Sequence, residues 1–135
     1  IKTQIERFQV LNHRLLVYAQ PSRFAKEKIN LAETAETCVS LLFAWAMAHN
    51  VNLHLHAGEG ATVTGDEPIL EHMIVNLVLN AVEAMSARGG NVYLEVFGDG
   101  ADAVVLVRDD GPGISASVKD SLFQPFVTSR RNGFG

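Results

Sequence analysis

Cysteine is almost absent: among 135 residues there is one, Cys38. A single thiol excludes an intramolecular disulfide framework and any multi-thiolate metal site, and it fits a reducing compartment. Cys38 itself is expected to pack as a small buried hydrophobe. Long apolar runs are also missing. The longest, from Cys38 to Ala48, is broken by Ser40 and is about half the roughly 20 residues that a membrane-spanning helix needs. This segment is therefore expected to be soluble. The opening IKTQIERFQV is charged and amphipathic and has no secretory signal's apolar core, which leaves any membrane anchor to other parts of a larger protein. A basic excess is lacking too: 11 Lys and Arg stand against 15 Asp and Glu, a formal net charge of −4. That argues against nucleic acid as a partner, since such surfaces neutralise phosphates. No internal repeat and no low-complexity tract occurs.

What is there is an ordinary globular balance, 47% hydrophobic and 19% charged, far from the composition of disorder. The length suits one main compact unit with a real core. The apolar residues Ile1, Ile5, Phe8, Leu11, Leu15 and Tyr18 recur at spacings of three and four, one face of an amphipathic helix that Pro21 and Ser22 stop. Such a face either docks on the main domain or packs on a partner helix, and the partner is favoured. Residues 22–30 read as a linker, polar and basic from Ser22 to Lys28. Asn30 can cap the next helix, with Glu33 three residues later in a capping-box-like pattern, and the helix is expected to run to about His49. Phe43 and Trp45 on it are read as core and packing residues.

Val51, Leu53 and Leu55 alternate with Asn52, His54 and His56, the period of a half-buried strand, and a short strand follows near Ala61 to Thr64. Asp66, with Pro68 in the first turn, starts a long helix through about Ala87, ended by Gly89 and Gly90. Asn91 to Phe97 and Ala103 to Arg108 read as a hairpin turning over Gly98, Asp99 and Gly100. Beyond Asp109 the chain is loop-like, with a helical turn near Val118 to Phe123. The order of elements predicts an α+β fold, a two-layer α/β sandwich with the helices on one face of the sheet.

On the long helix Leu70, Met73, Ile74, Leu77, Val78, Ala81, Val82 and Met85 form the expected core side, and His72, Asn76, Asn80 and Glu83 form a narrow polar stripe along its edge. Two asparagines one turn apart suggest a task, holding a cation through carbonyl oxygens or contacting phosphates, because carboxamides are costly to bury and are only moderate helix formers. Both facing water is the plainer alternative. Asp109-Asp110-Gly111-Pro112-Gly113-Ile114 follows a β-branched strand directly. It reads as an ordinary turn or as a loop whose glycines let the backbone approach a planar heterocycle while a carboxylate accepts from an exocyclic amine. His54 and His56 share one strand face, but two ligands make no metal site without a third, and a solvent-facing pair is preferred.

Taken in order, these motifs resemble the ATP-binding domain of sensor histidine kinases, in the superfamily that also holds DNA gyrase, Hsp90 and MutL. The resemblance covers nearly the whole chain. Asn76-Leu77-Val78-Leu79-Asn80-Ala81-Val82-Glu83-Ala84-Met85 looks like the family's N box, the Asp109 to Ile114 run like its first glycine box, and Leu122-Phe123-Gln124-Pro125-Phe126 like its phenylalanine box. Gly133-Phe134-Gly135 looks like the opening of the second glycine box, which then breaks off. The resemblance implies a Bergerat-type ATP-binding fold with a mixed sheet, truncated at its C-terminal part. It divides the chain into the end of a dimerisation and histidine-phosphotransfer helix at 1–21, a linker at 22–30 and the ATP domain at 31–135. It also implies ATP and magnesium as cofactors. Asn80 would coordinate the metal, Asn76 would assist in the phosphate or metal shell, and Asp109 would accept from the adenine amino group. Gly111 and Gly113 would let the loop pass close to the nucleotide. Phe123, Phe126, Thr128, Ser129, Gly133 and Gly135 would belong to a short lid, with Arg130 near the γ-phosphate.

Within that superfamily the hydrolases carry a general-base Glu where this chain has Asn76, so hydrolysis as the main activity is disfavoured. Glu83 lies on the other side of Asn80 and is read as a local helper or salt-bridge partner. The expected reaction is transfer of the γ-phosphoryl group to a histidine, for relay to an aspartate on a response regulator. N-A-x-E-A-M with a short lid looks most like the nitrogen-regulation and dicarboxylate-sensing branch. The acceptor is expected upstream of Ile1, since His13 is followed by Arg14 rather than an acidic residue. The N-terminal stripe would pack in a homodimeric four-helix bundle, and the domain would be cytoplasmic, with this fragment alone inactive. Two rivals stay open: an anti-sigma-type protein serine kinase, which would begin directly with the ATP domain, and a nucleotide-binding module without catalysis.

Overall fold

The computed structural model describes residues 26–111 and Gly113. Along them run β1 (Glu27–Asn30), α1 (Leu31–Ala48), β2 (Val51–Ala57), β3 (Thr62–Gly65), α2 (Glu67–Met85), β4 (Gly90–Asp99) and β5 (Asp102–Asp109). Asn30 keeps extended backbone and its side-chain oxygen accepts from the Ala32 amide at 3.1 Å, satisfying one of the donors that a helix start leaves over. At the other end of α1 the Asn50 backbone is left-handed, φ 58°, a conformation that asparagine tolerates, and it turns the chain into β2. Asp66 caps α2 by accepting from the Ile69 amide at 3.4 Å. Pro68 sits in the first turn, where its missing N–H costs nothing. The Arg88 and Gly89 amides both turn back onto the Met85 carbonyl, at 3.1 and 2.7 Å, and Gly89 at φ 74° ends the helix.

The main sheet has the order β2-β4-β5. β2 and β4 are parallel, from Val51↔Gly90 to Ala57↔Val96, and β4 and β5 form an antiparallel hairpin, from Val92↔Asp109 to Asp99↔Asp102. Parallel neighbours need a crossover, and α2 lies within the one that links β2 to β4. β1 and β3 make a separate antiparallel ribbon centred on Ile29↔Val63. Val92, Leu94 and Val96 of β4 are buried while Tyr93 between them is exposed, so one sheet face lies under α1 and α2 and the other faces outward. On that outer face the His54 ring stacks on Tyr93, with centroids 4.8 Å apart, and Arg108 lies over the same tyrosine while pairing with Glu95. Cys38 is fully buried where the helices meet, its Sγ 3.7 Å from the Glu71 carbonyl.

Three expectations need correction. Glu27–Asn30, assigned to the linker, is a strand; it buries a single side chain, Ile29, which is too little for a periodic signal. Phe43 is half exposed, because α1 turns Leu42, Trp45 and Ala46 inward instead. On α2 the buried arc is rotated: Val75 and Leu79 are inside, whereas Met73 and Leu77, expected in the core, are about two-fifths exposed. That rotation also buries His72, which was expected on the polar stripe. α1 and α2 are long and apolar enough to cross a membrane by length and composition; each packs a face on the sheet. Residues 1–25, Pro112 and 114–135 lie outside the described residues, and with them the N-terminal helix, His13, the expected turn at 118–123 and the whole expected lid.

Candidate functional site

α2 carries the first half of the site. Asn76 is half-buried, and Asn80, one turn further on, is exposed beside Met73 and Leu77. The correction to the core face matters here. Because Val75, Leu79 and Val82 face the sheet, the asparagines stand on the rim and outer side of the helix, accessible to a ligand.

The second half is the turn that leaves β5, and it rests on the end of the same helix. Asp109 closes the hairpin opposite Val92, and its Oδ1 accepts from the Gly111 amide at 2.9 Å. A Cβ on Gly111 would fall 2.6 Å from Met85 Sδ and 2.7 Å from Asp109 Oδ1, so any larger residue must displace one of these side chains. Gly113 differs: its φ of 79° is what requires glycine. Met85 is fully buried and lies five residues after Asn80, about 7.5 Å along the axis at ~1.5 Å per residue. One helix thus presents the carboxamides and supports the Asp109 turn.

Asp109 and Asp110 are neighbours with different duties. Asp110 accepts from the Asn91 amide at 2.8 Å and from Asn91 Nδ2 at 3.0 Å. Those two bonds, the backbone one foremost, and the nearby Arg88 charge hold its carboxyl below the ordinary value of 3.8. The Asp109 side chain is exposed, with one hydrogen bond inside its own turn among the described residues.

Of the residues expected from sequence, Asn76, Asn80, Asp109, Gly111 and Gly113 are described. The structure gathers the last three into a turn that packs on the helix bearing the first two. Phe123, Phe126, Thr128, Ser129, Arg130, Gly133 and Gly135 lie outside the described residues. Both His54 and His56 are exposed on β2, and His54 bonds Asn91 Oδ1 at 3.0 Å. Sequence reasoning missed Asn91, the role of Asp110 and the support given by Met85. The Asp-Asp doublet was the available signal for the second, but nothing local pointed to Asn91.

Residues 65–135 match the family described as histidine kinase-, DNA gyrase B-, and HSP90-like ATPase. The chain belongs to that family of ATPases. Membership makes ATP the domain's ligand. Sporulation kinase A of Bacillus subtilis is 29% identical over 135 residues, covering 98% of this chain and 22% of the relative. The C4-dicarboxylate transport sensor protein DctS of Rhodobacter capsulatus is 34% identical over 111 residues, 79% of this chain and 17% of the relative. The chain therefore spans about a fifth of the length of these relatives. Among solved structures, the catalytic domain of histidine kinase ThkA superposes with a TM-score of 0.71 at 24% identity, covering 82% of this chain and 72% of that one. ThkA in complex with the response regulator protein TrrA gives a TM-score of 0.73 at 23% identity, covering 94% and 38%. These likenesses show the fold, a mixed α/β sandwich of the histidine kinase catalytic type.

Proposed function

We propose that this ATPase-family domain is the ATP-binding catalytic part of a two-component sensor histidine kinase. The observation that carries the reading is the docking of the Asp109–Gly111 turn on Met85, at the end of the helix that presents Asn76 and Asn80. Asp109 would accept from the adenine amino group, and the Gly111 and Gly113 backbone would approach the nucleotide closely. Magnesium fits the donor set, because a hard cation prefers carboxamide and phosphate oxygens and keeps few protein ligands. Asn80 would hold it, with Asn76 half-buried one turn earlier in support. When bound, the metal neutralises charge on the phosphates.

Asn76 has no basic atom with which to take a proton from water, which favours transfer over hydrolysis. An imidazole nitrogen of an acceptor histidine would attack the γ-phosphorus as the bond to the ADP oxygen breaks, and positioning and charge neutralisation would lower the barrier. The acceptor would sit on a dimerisation helix, and the phosphoryl group would pass to a response-regulator aspartate. The ThkA structure in complex with the response regulator protein TrrA supports that partner.

The test is titration of a magnesium–ATP analogue into the full-length protein that contains this chain. Binding should be lost in both Asn80→Ala and Asp109→Asn; unchanged binding in both removes the site. Labelled ATP should then leave an acid-labile, base-stable mark on the protein, whereas an acid-stable mark on a partner serine would favour an anti-sigma-type kinase.

A further inference from the structure

Asn91 and Asp110, nineteen residues apart, hold each other through three hydrogen bonds. The Asn91 amide donates to Asp110 Oδ1 at 2.8 Å, Asn91 Nδ2 donates to Asp110 Oδ2 at 3.0 Å, and the Asp110 amide donates back to the Asn91 carbonyl at 3.2 Å. On its other side Asn91 Oδ1 accepts from His54 Nε2 at 3.0 Å and from Asn52 Nδ2 at 3.5 Å. An amide oxygen that faces donors and an amide nitrogen that faces a carboxylate leave one consistent orientation for the Asn91 side chain. The contacts therefore tie β2 to the start of β4 and to the turn leaving β5. Beside them Gly90 has no room for a Cβ, which would strike the Met85 methyl and the Asp110 carboxylate.

Among the described residues the Asp109 side chain has no comparable anchor. Its bond to the Gly111 amide closes its own turn and does not fix how that turn sits on the sheet. The next residue, Asp110, adds to the Met85 contact a second hold on the turn, through its bonds to Asn91.

We propose that Asp110 and Asn91 are positioning residues for recognition of the nucleotide base: their mutual bonds aim the turn so that the neighbouring Asp109 carboxylate meets an adenine amino group. The inference rests on the proposed ATP site and adds to it the pair that orients the base acceptor. A hydrogen bond to a charged group loses strength steeply once misaligned, so a loosened turn should cost about tenfold in affinity for a base that uses Asp109. It should cost a base that does not use Asp109 nothing.

The experiment measures binding of a non-hydrolysable ATP analogue and of inosine triphosphate, which has a carbonyl where adenine has its amino group, to the full-length protein. Asp110→Ala should weaken the ATP analogue about tenfold and leave inosine triphosphate unchanged, shrinking the selectivity for adenine. Equal losses for both nucleotides, or no loss, would overturn the proposal, since a merely structural bond does not distinguish bases. Should Asp110→Ala fail to fold, Asp110→Asn keeps an acceptor for the Asn91 amide and is read in the same way. A smaller shift in the same direction supports the pair, and unchanged selectivity overturns it. Asp109→Asn separates the two readings. If it keeps full adenine selectivity, the nucleotide site itself is misplaced and the pair falls with it. If it loses selectivity while the Asp110 variants keep theirs, only the positioning role is wrong.

Discussion

Met85 and Gly111 lie so close that a side chain between them must displace a neighbour: a Cβ on the glycine would lie 2.6 Å from the Met85 sulfur. The helix end and the turn leaving β5 are thereby one packed unit, although 25 residues separate them along the chain. The fold achieves this by running α2 into β4 through the short turn at Arg88 and Gly89, then bringing β5 back antiparallel so that Asp109 stands opposite Val92 near the start of β4.

Gly111→Ala should therefore disturb the site directly. The new methyl group meets the Met85 sulfur on one side and Asp109 Oδ1, at 2.7 Å, on the other. Met85 is fully buried and cannot swing away cheaply, so the exposed Asp109 carboxylate is the group that gives. Overpacking of this kind costs about 1–3 kcal/mol. The expected result is a modest fall in melting temperature together with about a tenfold loss of ATP-analogue affinity, read by calorimetric titration. A variant that loses stability while binding normally would show that Asp109 does not depend on the turn.

The rotated face of α2 yields a second expectation, at two leucines that flank Val78. Leu79 is fully buried and Leu77 is 41% exposed. Leu79→Ala should cost about 2–5 kcal/mol in chemical denaturation, the range for a cavity in a packed core. Leu77→Ala should stay within about 0.5 kcal/mol, as surface changes do. Equal costs would return Leu77 to the core side that the apolar pattern first suggested.

That pattern marks the boundary of what was legible. α1, β2, α2 and the β4–β5 hairpin were readable because each repeats its apolar spacing over several turns or alternations, and Asn30 and Asp66 announced the helix starts. The rotation of α2 was not readable, because apolar residues surround most of the helix. Ile69, Met73 and Leu77 are as hydrophobic as the residues that face the sheet, so hydrophobicity alone cannot choose between arcs. β1 escaped notice because four residues with one buried side chain have no period, and its partner β3 lies more than thirty residues away. Within the candidate site, Asn76, Asn80, Asp109, Gly111 and Gly113 were singled out by two short motifs and the family resemblance that those motifs carry. Asn91 was not, since its contacts depend on a strand register that only the folded sheet supplies.

Cys38 should be inert in the native protein. Burial first, and then the negative charge of Glu71, push its thiol up to about 12. Alkylation at pH 8 should be slow in the folded state and become fast on unfolding, followed by mass spectrometry. The sign for stability follows from the same shift. The unfolded thiol ionises near its ordinary value of 9.0 while the buried one stays neutral. Its contribution is therefore complete below that value and is lost as pH rises toward 12. Rapid labelling of the folded protein at pH 8 would contradict the buried position between the helices.

Asp110 should give the opposite dependence, at the acid end. Its carboxyl is held below the ordinary 3.8, first by the Asn91 amide, then by Asn91 Nδ2, with a smaller contribution from Arg88. A depressed value means that the native state favours the carboxylate more than the unfolded chain does. The stabilisation is therefore present above the ordinary value and disappears as pH falls through the lowered native one. Wild type should be more stable than Asp110→Asn near neutral pH, with the difference shrinking as the solution is acidified below about 4 and vanishing once both states are protonated. Chemical denaturation at a series of pH values measures this. Added salt separates the causes, because it screens the attraction of Arg88 across solvent but leaves the short bonds to Asn91 largely intact. A stability difference that salt abolishes would assign the effect to Arg88 rather than to the contact between Asn91 and Asp110.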